Sequence, residues 1–123
     1  MSEVKWLKRH HYNDSNNPLW YETPFVNKQK HGVEKIWYYD GKPQFEICWD
    51  NGKKHGLTKV WYSTGQVLSE TNYFNGAKHG KCIKYEKNGS VITTSYYLNG
   101  KEVSEEDFRR YELICELSGI KDE

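Results

Sequence analysis

The triplet Lys-His-Gly occurs three times, at Lys30-His31-Gly32, Lys54-His55-Gly56 and Lys78-His79-Gly80, each 24 residues after the last. The same interval separates Gly41, Gly65 and Gly89, and the pairs Asn51-Gly52, Asn75-Gly76 and Asn99-Gly100. Three landmarks recur without an insertion, so the chain is a tandem array of one supersecondary unit. The units run 30–53, 54–77 and 78–101. An eroded fourth unit is expected over 1–29, because Glu22-Thr23, Phe25 and Asn27 fall 48 residues before Glu70-Thr71, Tyr73 and Asn75. Asn17 and Lys28 stand where its glycines would be.

Within one unit, Leu57 to Tyr62 is rich in β-formers, Ser63-Thr64-Gly65-Gln66 reads as a turn, and Val67 to Phe74 is a second strand. Asn-Gly is the strongest two-residue hairpin signal, because a type I′ turn needs positive φ at both positions. Each unit is therefore a β-hairpin, and successive units continue one antiparallel meander. The expected fold is mainly β, a single-layered sheet treated as one repeat domain over 1–123. Apolar residues occur on both alternations of the strands. One bulge would invert the parity, so the sequence leaves open which face is drier.

After Gly100 the period changes. Ser104 and Asp107 form a capping-box variant, Glu105 and Glu106 suit the positive end of a helix, and Phe108, Tyr111, Ile114 and Cys115 recur at helical spacing, with Leu117 near the stripe. A helix over 104–118 is expected, stopped at Gly119 and capping the last hairpin.

Mean hydropathy is −0.98 and 28% of residues are charged, yet 15% are aromatic. A thin sheet with aromatic stripes satisfies both, whereas a disordered chain would lack the aromatics. The net charge of +1 argues against nucleic acid as a partner. Cys48, Cys82 and Cys115 are too few and too far apart for a disulfide framework or a zinc site. No apolar leader follows Met-Ser-Glu-Val-Lys, and no stretch approaches the ~18–20 apolar residues of a membrane span. A cytoplasmic protein with reduced thiols is expected.

No catalytic, metal or cofactor site is expected. His31, His55 and His79 fall ~10 Å apart on successive hairpins and cannot share an ion, so they read with their glycines as turn residues whose rings bond or pack on the adjacent loop. Cys82 lies three residues after His79, but Thr58 and Glu34 replace it in the other units, which favours a packed thiol over a nucleophile. Glu22, Glu46 and Glu70 form a row best read as cross-strand partners of Lys35 and Lys59. Two aromatic series remain, Trp37, Trp61 and Tyr85, and Trp49, Tyr73 and Tyr97. One series is expected to supply burial and the other an interaction surface.

The string Asn-Gly-Lys-Lys-His-Gly at 51–56, then Trp61-Tyr62, Gly65, Glu70 and Tyr73-Phe74-Asn75-Gly76, resembles the MORN repeat variant over residues 20–101. Similar arrays occur in bacteria, some labelled as antitoxin components, and in large DNA viruses, so a viral source would place the protein in the host cytoplasm. The resemblance implies a β-hairpin ribbon used for binding, not an enzyme: a scaffold for a protein partner or a second copy of itself. The alternatives are a membrane-surface adaptor for lipid head groups and an antitoxin-like partner of another protein.

Overall fold

A computed structural model describes residues 3–11 and 19–119. Ten strands and one helix follow in chain order: β1 Lys5–His10, β2 Leu19–Val26, β3 Gln29–Lys30, β4 Gly32–Trp37, β5 Pro43–Asp50, β6 Lys53–Trp61, β7 Val67–Phe74, β8 Ala77–Tyr85, β9 Val91–Leu98, β10 Lys101–Val103 and α1 Glu105–Ser118. They form one open antiparallel sheet in sequence order, with β3 pairing only with β2. The fold is the expected single-layered meander. Its exposed area, 8385 Å2, exceeds the roughly 6,900 Å2 of a compact monomer of this mass.

The Asn-Gly pairs close the hairpins with φ near 47–50° at Asn51, Asn75 and Asn99 and 83–90° at the glycines that follow. The eroded unit keeps the turn without its glycine, since Asn27 and Lys28 adopt φ of 50° and 65°. Asn17, the other replaced glycine, lies outside the described residues.

Each Asn-Gly turn is bonded to the Lys-His pair that opens its own unit, just after the turn that closes the unit before. The Asn51, Asn75 and Asn99 amides donate to Nδ1 of His31, His55 and His79 at 3.2, 3.2 and 3.1 Å. The Gly52, Gly76 and Gly100 amides donate to the carbonyls of Lys30, Lys54 and Lys78, each at 2.8 Å. Across the ribbon, the Tyr38 and Tyr62 hydroxyls donate to the carbonyls of Trp61 and Tyr85 at 2.7 Å. One long margin is thus tied from turn to turn, and the other from unit to unit.

The Lys-His-Gly motifs differ from expectation in one respect. His55-Gly56 and His79-Gly80 lie inside β6 and β8, and Gly32 opens β4. The register shifts opposite them, between Ile47 and Trp49 and between Thr71 and Tyr73, so each glycine sits in a bulge with φ of 101–112°. These residues aim the His ring at the next turn without forming a turn themselves.

The register sorts the side chains. One face carries the row Thr23, Glu34, Ile47, Thr58, Thr71, Cys82 and Ser95. The other carries Lys8, Glu22, Lys35, Glu46, Lys59 and Glu70, paired in that order with alternating sign, as the cross-strand reading required. This second face also receives α1, whose Phe108 stacks on Tyr96 with centroids 5.1 Å apart. It is the helix face below.

Ser104 caps α1, its hydroxyl accepting from the Asp107 amide at 3.1 Å, and Gly119 closes the helix at φ 74°. Phe108 is buried and Tyr111 and Cys115 half-buried, but Ile114 and Leu117 are 61% and 79% exposed. The expected apolar stripe therefore splits. The helix crosses only the last strands, and its C-terminal turns have no sheet beneath that side.

Asn27-Lys28 and Asn75-Gly76 give opposite expectations for thermal unfolding. Lys28→Gly should stabilise the protein by about 0.5–1 kcal/mol, because a left-handed lysine is strained. Gly76→Val should cost more than about 1 kcal/mol, since a β-branched residue is worse still at positive φ. Equal melting temperatures for the two variants would contradict this account of the turns.

Candidate interaction surfaces

All six aromatic residues singled out in the sequence are half-buried, and they divide between the faces. Trp61 and Tyr85 lie on the helix face: Lys59 Nζ stands 5.6 Å from the Trp61 ring, and the Tyr85 hydroxyl donates to Glu70 at 2.6 Å. That hydrogen bond first, then burial and the carboxylate charge, raise the Tyr85 pKa above its usual value. Trp37 lines a cavity of about 210 Å3 with Trp61, Lys35 and Glu46. Neither series is an exposed stripe, because charged and polar neighbours lean over both.

Trp49, Tyr73 and Tyr97 lie on the opposite face, each beneath a lysine. The ammonium groups of Lys30, Lys54 and Lys78 stand 4.6, 5.1 and 5.0 Å from the respective ring centroids. Lysine and ring are always 19 residues apart, a correlation present in the sequence but visible only once the strand pairing is known. We call this the rung face.

At its first rung the charge is neutralised. Glu34 is 6% exposed and accepts from Trp49 Nε1 at 2.9 Å, Thr23 Oγ1 at 2.5 Å and Lys30 Nζ at 3.5 Å. Three donors from three strands converge on one carboxylate, which is what makes its burial tolerable.

The histidines form part of a ring chain on the helix face. His55, Phe74, His79 and Tyr111 follow one another with centroids 4.9, 5.6 and 5.6 Å apart. A groove of about 470 Å3 runs beside them, between the sheet and Phe108, Arg109 and Glu112 of α1. Cys82 points to the rung face, away from His79. Burial, then the Glu46 carboxylate, raise the Cys48 thiol pKa, which disfavours the reactive thiolate. Among the described residues no cluster of His, Cys, Asp and Glu has metal-holding geometry, and no helix is long and apolar enough to cross a membrane.

The exposed apolar residues fall at both ends of the ribbon, Val91, Ile92, Leu113, Ile114 and Leu117 on β9 and α1, and an aromatic-rich group near β1. At the β1 end of the ribbon, far from α1 in the strand order, Trp6 is 50% exposed, Trp20 45% and Tyr39 52%. His11 stacks on Trp20 at 5.8 Å and meets Tyr39 edge-on at 5.4 Å. A cavity of about 510 Å3 lies alongside, lined by Lys5, Trp6, Leu7, Phe25 and Lys28. These residues carry no signal in the sequence, because Trp6 and Trp20 belong to no repeating series.

The Glu34 centre makes a direct prediction for equilibrium unfolding. Glu34→Ala should cost about 2–4 kcal/mol by stranding the Trp49 and Lys30 donors. Glu34→Gln, which retains an acceptor, should lose less. Wild-type stability in Glu34→Ala would show that the contacts carry no net energy.

The MORN repeat variant model matches residues 30–51, 54–75 and 78–99, more than half of the chain and in the same three-unit phase. No curated protein and no solved structure gives a match. Repeats of this kind are generally modules for interaction with proteins or membranes. On the match across three consecutive units, the chain belongs to the MORN repeat variant family.

Proposed function

We propose that the protein is a non-enzymatic protein-interaction module whose principal contact surface is the aromatic-rich β1 end of the ribbon. The observation that carries this reading is the kind of apolar surface found there. The exposed large residues at this end include the aromatics Trp6, Trp20 and Tyr39, whereas those on β9 and α1 are aliphatic. Rigid aromatics give large contact area at low entropic cost, and exposed apolar clusters of this kind mark interaction sites. The alternating lysine and glutamate row beside them favours a protein over an anionic bilayer, because a lipid surface would meet its carboxylates as well as its lysines.

The partner is another protein or a second copy of the chain, and light scattering on the purified protein separates the two. Trp6→Ser with Trp20→Ser should abolish capture of the partner, or self-association, while leaving the far-ultraviolet spectrum unchanged. Both residues are about half exposed, so their loss should cost little stability. Undiminished association by the double variant would move the contact surface away from this end.

A further inference from the structure

We propose that the rung face carries a two-point carboxylate-binding site, Lys54 with Tyr73 and Lys78 with Tyr97, which takes acidic side chains of a protein partner. This rests on reading the chain as an interaction module and specifies the chemistry of what it binds.

The first unit shows such a rung with its carboxylate in place. Lys30 lies over Trp49, and both donate to Glu34. Moving on by one and two units takes Lys30 to Lys54 and Lys78, and Trp49 to Tyr73 and Tyr97, while Glu34 becomes Thr58 and then Cys82. The cation and the ring persist at every rung. The carboxylate is supplied by the chain only at the first. Among the described residues, no carboxylate lies within ion-pairing distance of Lys54, Lys78 or Lys84.

Where the third carboxylate would stand, beside Cys82, there is a cavity of about 170 Å3. Its walls include the ammonium-bearing Lys78 and Lys84 and the hydroxyl-bearing Thr71, Thr93, Ser95 and Tyr97. Two cations and four hydroxyls around a small open cavity are suited to an oxyanion. Row by row, the chain has also become more polar here: Ile47 of the first unit is replaced by Thr71 and Ser95.

The spacing restricts the partner. Rungs two strands apart lie ~10 Å from each other. On an α-helix, residues seven apart lie on one stripe and ~10.5 Å apart. A helix laid across the strands with acidic residues at that interval reaches both rungs at once. A carboxylate is favoured over a phosphate because the occupant of the first rung is a carboxylate.

The test uses the full-length protein, isotope-labelled, and a soluble alanine-rich helical peptide with two glutamates seven residues apart, alongside the same peptide with glutamines. The glutamate peptide should shift the Lys78, Thr93, Ser95 and Tyr97 amides saturably and weaken with salt, and the glutamine peptide should not. Lys78→Gln and Lys84→Gln, both at exposed residues, should each weaken binding about tenfold. Cys82→Glu should fill the cavity from within, raising the melting temperature and weakening the peptide by a similar factor, as Glu34 does at the first rung.

Equal binding of both peptides, or binding untouched by Lys78→Gln and Cys82→Glu, overturns the site. So do shifts of the same amides by phosphatidylserine vesicles without a response to the glutamate peptide, which would make the rungs a phosphate surface. Loss of peptide binding with Trp6- and Trp20-dependent association intact rejects the carboxylate site alone. The converse result rejects the β1-end surface and leaves the rungs standing.

Discussion

A sheet one layer thick has no second sheet to press its strands together, so its successive turns must be tied to one another along the margins. The bond that does this is the pair of amide donations from each Asn-Gly turn to the preceding Lys-His, one to the ring Nδ1 and one to the lysine carbonyl. Repeat arrays are stabilised by unit stability plus nearest-neighbour coupling. Here the coupling is largely polar, which explains how a chain of such low mean hydropathy folds at all. The bulge at each Lys-His-Gly glycine follows from this need, because it directs the histidine at the turn 20 residues on.

The same stitching leaves both faces free to differ. On the rung face the lysines stand over aromatic rings and are neutralised only where Glu34 intervenes. On the helix face acid and base alternate across the strands, and α1 adds an aromatic cover at one end. A basic surface and a balanced surface thus sit back to back within one layer. Their chemistry follows from strand parity, not from net charge, which is +1 for the whole chain.

The repeat, the Asn-Gly turns, the meander and the capped helix were legible in the sequence because each is a local or strictly periodic signal. The position of His55-Gly56 and His79-Gly80 was not. A glycine beside a histidine reads as a turn until the register shift across the strand pair is seen. Parity beyond each bulge was hidden for the same reason, and with it the assignment of Trp61 and Tyr73 to opposite faces. Nothing in the sequence marked Glu34 for burial, which depends on Thr23, Lys30 and Trp49 converging from other strands. Ile114 and Leu117 fit a helical stripe, but the sheet beneath them ends too soon to cover it. At Lys28 the turn survived the loss of the glycine that announces it.

Hydrogen exchange at the Asn51, Asn75 and Asn99 amides addresses the tie between successive turns most directly. These residues occupy exposed turns, where an amide bonded only to water would exchange at nearly the rate of an unstructured peptide. If the histidine ring accepts each of them, all three should be protected to the level of neighbouring strand amides, and His55→Ala should release Asn75 before Asn51. Fast exchange at all three in the wild-type protein would mean that the histidines do not tie the turns, and that this margin is held by strand pairing alone.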